Sequence, residues 1–265
     1  MTRTDILPGF LIIGAMKAGT TTLYEDLAQV TGIYLPPEKE PDDLIHVEIE
    51  TPKGLADYAA KFAQAPSGAL CGEASTAYTK LPTYHGVAER ALRVLGPELK
   101  LIYMTRDPIR RIVSQYHHLW GLGMEDRPLN VAVLQDETYV AYSEYERQLA
   151  PWRATFGDKK ILVVSFEEYI SNRPAVLAQV CEFLGVEPPV TVDETHRNAS
   201  AGKRVVKRGT IWSRIAHSNF YLYRLKPLLP TSLRDRLKAL LLPTARRMDD
   251  TLEETTRVEL VRRLS

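Results

Sequence analysis

The sequence predicts an α/β fold built on a central, mostly parallel sheet. Three observations point there. Short apolar runs, among them Phe10–Gly14, Leu101–Met104 and Ile161–Ser165, alternate with stretches of helical periodicity. The first run passes through a glycine- and threonine-rich turn directly into a helical pattern. The second ends in Thr105-Arg106-Asp107-Pro108, where proline opens the next helix at a position whose N–H has no intrahelical partner in any case.

The elements follow in order. Phe10–Gly14 is apolar throughout, as a strand covered on both faces should be. A helix is expected from about Gly19 to Val30, and Ile33–Leu35 suits a second strand. Pro36-Pro37-Glu38-Lys39-Glu40-Pro41-Asp42-Asp43 is a loop, because three prolines remove donors and hold their predecessors extended. Gly54–Ala63 has a helical pattern, Ala69–Gly72 suits a short buried strand, and Tyr84–Leu95 a helix ending at Gly96-Pro97. Glu137–Phe156 reads as one long amphipathic helix in which Pro151 marks a break or kink. Arg173–Leu184 is a helix stopped by Gly185. After Pro189 the pattern changes: 191–208 is polar and basic, 220–242 is apolar and basic and divided by Pro227 and Pro230, and Asp249–Leu264 is a charged helix. No repeat or clean boundary appears, so 1–265 is expected to be a single domain, with 196–265 a basic loop and helical C-terminal extension.

Composition excludes several classes. With 45% hydrophobic and 25% charged residues, the 265-residue chain is neither disordered nor fibrous. Two cysteines, Cys71 and Cys181, are too few for a disulfide framework. No run of 18 apolar residues is present, and Phe10–Ile13 is much shorter than a signal-peptide core. An intracellular, reducing, cytoplasmic setting is therefore expected. Net charge is +1 but unevenly split. Residues 1–195 carry 18 Lys+Arg against 27 Asp+Glu, and residues 196–265 carry 16 against 6. A C-terminal quarter with that excess either faces an anion or pairs with the acidic part of the chain.

The turn after the first strand, Gly14-Ala15-Met16-Lys17-Ala18-Gly19-Thr20-Thr21-Thr22, suits an anion cradle. Glycines let the backbone come close, and the free N–H groups of a helix start point at phosphate oxygens. A nucleotide-triphosphate loop would place lysine directly after the second glycine. Here that position is Thr20, and the lysine lies inside the loop at Lys17. The segment resembles the 5′-phosphosulfate loop of sulfotransferases that use 3′-phosphoadenosine-5′-phosphosulfate (PAPS), in which an apolar strand precedes K-x-G-T-T. The resemblance implies a P-loop-like three-layer fold and a donor site formed by Lys17, Ala18, Gly19, Thr20, Thr21 and Thr22.

A second segment extends the resemblance. In Arg106-Asp107-Pro108-Ile-Arg-Arg-Ile-Val-Ser114-Gln-Tyr116 a guanidinium fork at the strand end and a hydroxyl eight residues on, on the second turn of the helix, can clasp one phosphate. It resembles the family's R-D-P-x-x-R-x-x-S-x-Y, which implies that Arg106 and Ser114 hold the 3′-phosphate, while Asp107 and Arg110 are expected to cap and brace the helix. The strand Ile161–Ser165 with Phe166-Glu167-Glu168-Tyr169 resembles the family's Y-E-D-L strand end. Phe166 stands where tyrosine is usual, either against adenine or as plain core. Phe183-Leu184-Gly185-Val186 matches the helix end F-L-G-V, so the resemblance runs from about residue 9 to residue 205. In 196–204, Arg204 and Lys203 match a basic loop that folds over the nucleotide.

The resemblance implies in-line sulfuryl transfer to a hydroxyl, with Lys17 stabilising the leaving oxygen and no metal required. Glu40, in Lys39-Glu40-Pro41, resembles the glutamate base of the K-E-P-H-F-F loop of glycan sulfotransferases, with Lys39 near substrate or leaving group. Asp42-Asp43-Leu44 departs from that pattern. Glu73, in Gly72-Glu73-Ala74-Ser75-Thr76-Ala77-Tyr78, is the second candidate, either as base or as a residue positioning Lys17 or Lys39. Ala74 replaces the family's lysine there, so one cation is absent. His46 is a further, weaker choice. The expected acceptor is a hydroxyl-bearing small molecule, glycan or glycolipid, and no nucleic-acid partner is expected. Two other classes compete. One is a small P-loop nucleotide kinase, against which the displaced lysine argues. The other is a non-catalytic module making peripheral membrane contact through 220–242, where cations lie among leucines and tyrosines.

Overall fold

A computed structural model describes residues 6–189 and 250–265. Lys203, Arg204 and the segment 220–242 lie outside the described residues. Five strands form one sheet: β1 Phe10–Gly14, β2 Ile33–Tyr34, β3 Leu70–Ala74, β4 Lys100–Thr105 and β5 Ile161–Ser165. Their order is β2-β3-β1-β4-β5, and every pairing is parallel. All five residues of β1 are buried, as its central place in a sheet covered on both faces requires. Val163 of the edge strand β5 remains 42% exposed.

The strand order places the site. From β1 the chain moves to β2 and β3 on one side, then crosses to β4 and β5 on the other. The carboxyl ends of β1 and β4 are thus neighbours from which the chain leaves in opposite directions, the switch point at which open α/β sheets bind ligands. The Ala15 N–H donates to the Met104 carbonyl at 2.8 Å and closes this end of the pair.

The helices cover both faces of the sheet. α1 (Thr20–Leu27) follows β1, and α2 (Pro52–Ala60) and α3 (Val87–Leu95) flank β3 in sequence. α4 (Pro108–Gly121) starts after β4, with Asp107 as its cap: the Asp107 carboxylate accepts from the Arg110 N–H at 2.7 Å. The main core gathers β1, β4 and the inner faces of α1 and α9 (Arg173–Leu184). A second core joins Ile112 and Tyr116 of α4 with α5 (Leu129–Gln135), α6 (Thr138–Ala141) and Leu260 of α10 (Glu254–Leu264), the observed form of the C-terminal charged helix.

The single helix expected over Glu137–Phe156 is two, α6 and α7 (Tyr145–Phe156), and Pro151 lies inside α7 without ending it. The break falls at 142–144, where the chain tightens into a turn, the Ser143 N–H donating to the Val140 carbonyl at 2.8 Å and the Glu144 N–H to the Ala141 carbonyl at 3.2 Å, and where buried side chains also bind. Arg111 donates to the Tyr139 carbonyl at 2.8 Å and Gln148 to the Ala141 carbonyl at 2.8 Å. The short α8 (Phe166–Ser171) after β5 and the helix α5 were not anticipated from the sequence.

Candidate active site

The loop after β1 turns on two special backbone positions. Lys17 has φ of 69°, and Gly19, which caps α1, has φ of 89°. No side chain caps this helix start and no acidic residue stands in its first turn, and while the Thr22 N–H donates to the Gly19 carbonyl at 3.0 Å, the amides of Thr20 and Thr21 and the positive end of the helix dipole face a place that suits an anion. Thr20 is buried, Thr22 half-buried and Thr21 exposed. Ala18 is buried and belongs to the core beneath the loop.

Arg106, at the end of β4, joins this loop to the second motif. Its Nη1 donates to the Lys17 carbonyl at 3.1 Å, and its Cζ lies 4.9 Å from the centroid of the Phe166 ring. Its Nε is buried and meets no hydrogen-bond partner among the described residues. Burial holds its pKa below the ordinary arginine value, so the site favours an anion beside it. Tyr145 fixes the backbone at this point: its hydroxyl donates to the Arg106 carbonyl at 2.6 Å and accepts from the Arg106 N–H at 3.3 Å. Ser114 is half-buried on α4.

Phe166 packs on the loop itself. A Cβ built on Gly19 would fall 2.7 Å from its Cε2 and nearer still to Cδ2. α8 carries Phe166 at its start and is tied to α1 through Tyr169, whose hydroxyl bonds Asp26. Arg173 donates to the same carboxylate through Nε at 2.7 Å.

Arg111, which sequence reasoning passed over in favour of Arg110, is the helix's brace. Arg110 is exposed, whereas Arg111 is fully buried. Its guanidinium holds Ser143 Oγ at 2.5 Å, Gln115 Oε1 at 2.7 Å and the Met16 carbonyl at 3.4 Å, in addition to Tyr139. Burial lowers its pKa to about 10. The sequence signal was available: two adjacent arginines on a helix whose neighbours at Ile112 and Tyr116 are apolar place one of the pair on the buried face.

The acceptor-side loop lies across the end of β3. The Glu40 N–H donates to the Ala74 carbonyl at 2.9 Å and the Asp42 N–H to Ser75 Oγ at 3.1 Å. Lys39 Nζ pairs with Glu40 Oε1 at 2.6 Å, and the Glu40 side chain remains 41% exposed. Glu40 and Asp42 have φ of 59° and 57°. Together with Lys17 these are the only non-glycine residues at positive φ among the described residues, and all three belong to this one locality. Glu73 is placed differently. It is fully buried on β3, the Tyr78 hydroxyl donates to its Oε1, and burial raises its pKa to about 8. His46 is exposed.

The sequence model for the sulfotransferase domain matches residues 7–208. The chain belongs to the sulfotransferase domain family. A solved sulfotransferase from Alicyclobacillus acidocaldarius is similar with a TM-score of 0.64 and 26% identity, over 74% of this chain and 88% of that one. Human heparan sulfate glucosamine 3-O-sulfotransferase 6 is 26% identical over 259 residues, 91% of this chain and 70% of that protein. The human 3-O-sulfotransferase 3B1 is 26% identical over 216 residues, covering 76% of this chain and 52% of that protein. The chain thus spans about half the length of 3B1. As in sulfotransferases of P-loop-like fold, the described sheet is parallel with helices on both faces.

Proposed function

We propose that this sulfotransferase domain moves a sulfuryl group from PAPS to a hydroxyl of a carbohydrate acceptor. The observation that carries the reading is Arg106, which binds the Lys17 carbonyl, lies over Phe166 and keeps a buried Nε without a hydrogen-bond partner among the described residues. A half-buried, half-satisfied guanidinium beside an uncapped helix start fits two phosphates borne on one nucleotide. The residues present therefore fit PAPS, which when bound supplies the sulfuryl group and an anionic leaving nucleotide.

The amides of Thr20 and Thr21 and the hydroxyls of Thr20, Thr21 and Thr22 hold the 5′-phosphate, and Arg106 with Ser114 holds the 3′-phosphate. Phe166 keeps Arg106 and the Gly19 turn in one arrangement. Lys17, held in a left-handed backbone conformation, presents its ammonium to the oxygen on which charge builds. Glu40 is the base that takes the acceptor proton. Its carboxylate is exposed and steadied by Lys39, whereas Glu73 is enclosed. The named activity of the 3-O-sulfotransferase relatives supports a glycan hydroxyl as acceptor.

The test is calorimetric titration with 3′-phosphoadenosine-5′-phosphate (PAP), with 5′-AMP as control and no added metal. Binding that requires the 3′-phosphate is expected. Equal affinity for both nucleotides, or for neither, refutes the donor assignment.

A further inference from the structure

We propose that Tyr78 is a positioning residue for the acceptor side of this site: its phenol, oriented by the buried carboxyl of Glu73, fixes the stretch of chain that carries Glu40. The inference rests on the reading of Glu40 given above. Three alternate amides of that stretch are held by one strand end. The Glu40 N–H donates to the Ala74 carbonyl at 2.9 Å, the Asp42 N–H to Ser75 Oγ at 3.1 Å and the Leu44 N–H to the Tyr78 hydroxyl at 3.4 Å. The first two bonds reach the end of β3 and the residue after it. The third comes from the short 3₁₀ turn Thr76–Thr79. The Tyr78 N–H donates to the Ser75 carbonyl at 3.3 Å, which folds this turn back so that the phenol meets Glu73, five residues earlier. Thr79, next along the same turn, donates through Oγ1 to the Ile13 carbonyl at 2.6 Å, at the root of the donor loop. One turn therefore grips the Glu40 stretch with one residue and the donor strand with the next.

The backbone explains why an anchor is needed. Glu40 and Asp42 have φ of 59° and 57°, a conformation that costs an L residue roughly 1–2 kcal/mol and persists only where its surroundings hold it. The Leu44 peptide is gripped on both sides. Its N–H goes to Tyr78, and its carbonyl accepts from Arg90 Nη1 at 2.6 Å. Beside it, Asp43 pairs with Lys61 at 2.5 Å. Leu44, Glu73, Tyr78 and Arg90 are all buried, so these bonds are shielded from water. A phenol has one proton to give. Glu73 Oε1 receives it, which leaves the lone pairs of the Tyr78 oxygen for the Leu44 N–H. The turn thus sets the separation between Glu40 and the donor loop, and a shift of about 1 Å in such a separation is enough to slow transfer strongly.

The experiment follows backbone amides by hydrogen exchange in the full chain, read by NMR, for the parent and Y78F. Y78F is expected to speed exchange at Leu44 about five- to tenfold and at Glu40 and Asp42 in the same direction. Ser75, whose N–H donates to the Ile12 carbonyl at 3.1 Å, is expected to keep the parent rate. Parent-like exchange at Leu44 or Glu40 overturns the proposal. An equal gain at Ser75 also overturns it, because the loss is then one of overall stability. In parallel, Y78F is expected to lower kcat for transfer to heparan sulfate about 10- to 100-fold, with PAP affinity within about threefold of the parent. Parent-like turnover, or a loss of PAP affinity that matches the loss of turnover, overturns it as well. Should Y78F fail to fold, two variants of Glu73 decide. E73L removes the acceptor of the phenol proton and is expected to speed exchange at Leu44, whereas E73Q keeps an acceptor oxygen and is expected to speed it less; equal rates overturn the proposal. If the parent fails to transfer to heparan sulfate, or E40Q transfers like the parent, the reading of the acceptor side falls, while the exchange rates still decide the place of Tyr78.

Discussion

The ring of Phe166 occupies the space in which a side chain on Gly19 would stand. A Cβ there would fall 2.7 Å from Phe166 Cε2, at a backbone φ of 89° that L residues adopt only at a cost. Gly19→Ala therefore meets two penalties, roughly 1–2 kcal/mol for the left-handed backbone and displacement of the ring that supports Arg106. Urea unfolding should show a loss in that range. Calorimetry should show PAP binding weakened by about tenfold or more. Unchanged PAP affinity would mean that the contact between Gly19 and Phe166 does not shape the donor site.

Arg106→Ala should weaken PAP about 10- to 100-fold, the worth of one or two charge-assisted hydrogen bonds, and leave 5′-AMP binding nearly unchanged. Arg106→Lys should restore only part of the loss, because an ammonium cannot hold the Lys17 carbonyl and a phosphate in the planar fork that a guanidinium offers. Equal losses for PAP and 5′-AMP would move Arg106 from the 3′-phosphate to the nucleotide in general.

Arg111 carries no carboxylate partner among its hydrogen bonds; it is held by Ser143, Gln115 and the carbonyls of Met16 and Tyr139. Arg111→Met leaves Gln115 Oε1 and the Met16 carbonyl without the guanidinium and the Tyr139 carbonyl with only the Ser143 hydroxyl, and should cost at least about 2 kcal/mol in urea unfolding. Arg111→Lys should not restore stability, since one ammonium cannot span the four partners.

Glu73 gives a pH signature. Its folded pKa is raised to about 8 from 4.5, chiefly by burial. Between those values the folded protein keeps the proton that the unfolded chain has released, so the contribution of Glu73 to stability declines as pH rises through this window and levels off above it. Urea unfolding midpoints measured from pH 5 to 9 should show a flatter profile for Glu73→Gln than for the parent. Parallel profiles would show that Glu73 is ionised in the folded state.

Lys17→Ala should reduce turnover by about a thousandfold, as loss of a group that stabilises developing charge does. Glu40→Gln should reduce it about a hundredfold or more and leave PAP affinity at the parent value. Near-parent turnover by Glu40→Gln, together with an inactive Glu73→Gln, would transfer the role of base to Glu73.

The two motif segments were legible because each lies within a strand, a turn and the start of a helix, where local rules operate. The Gly14–Thr22 turn and the Arg106–Ser114 segment both appear where the residue pattern places them, and β1 and β5 have the bounds that their apolar runs predict. Local pattern failed where distant side chains intervened. The helix over 137–156 breaks where Arg111 and Gln148 bind the Tyr139 and Ala141 carbonyls, and no periodicity within that stretch records those partners.

By itself the sequence determined the α/β class, the strand-turn-helix at Gly14–Thr22, the family and the loop that carries Glu40, since those follow from contiguous residue types and their spacing. The tertiary structure decided which groups meet. Arg106 reaches the Lys17 carbonyl across 89 residues of chain, and Phe166 comes to rest on Gly19 only because β4 and β5 are neighbours and α8 is tied to α1 through Asp26. It also separated Glu40 from Glu73, the first and second candidates for the base in the sequence, by leaving one carboxylate partly exposed and enclosing the other among tyrosines. Burial is a property of the packed sheet and its covering helices, and it is burial that sets a carboxyl's protonation and its access to an acceptor.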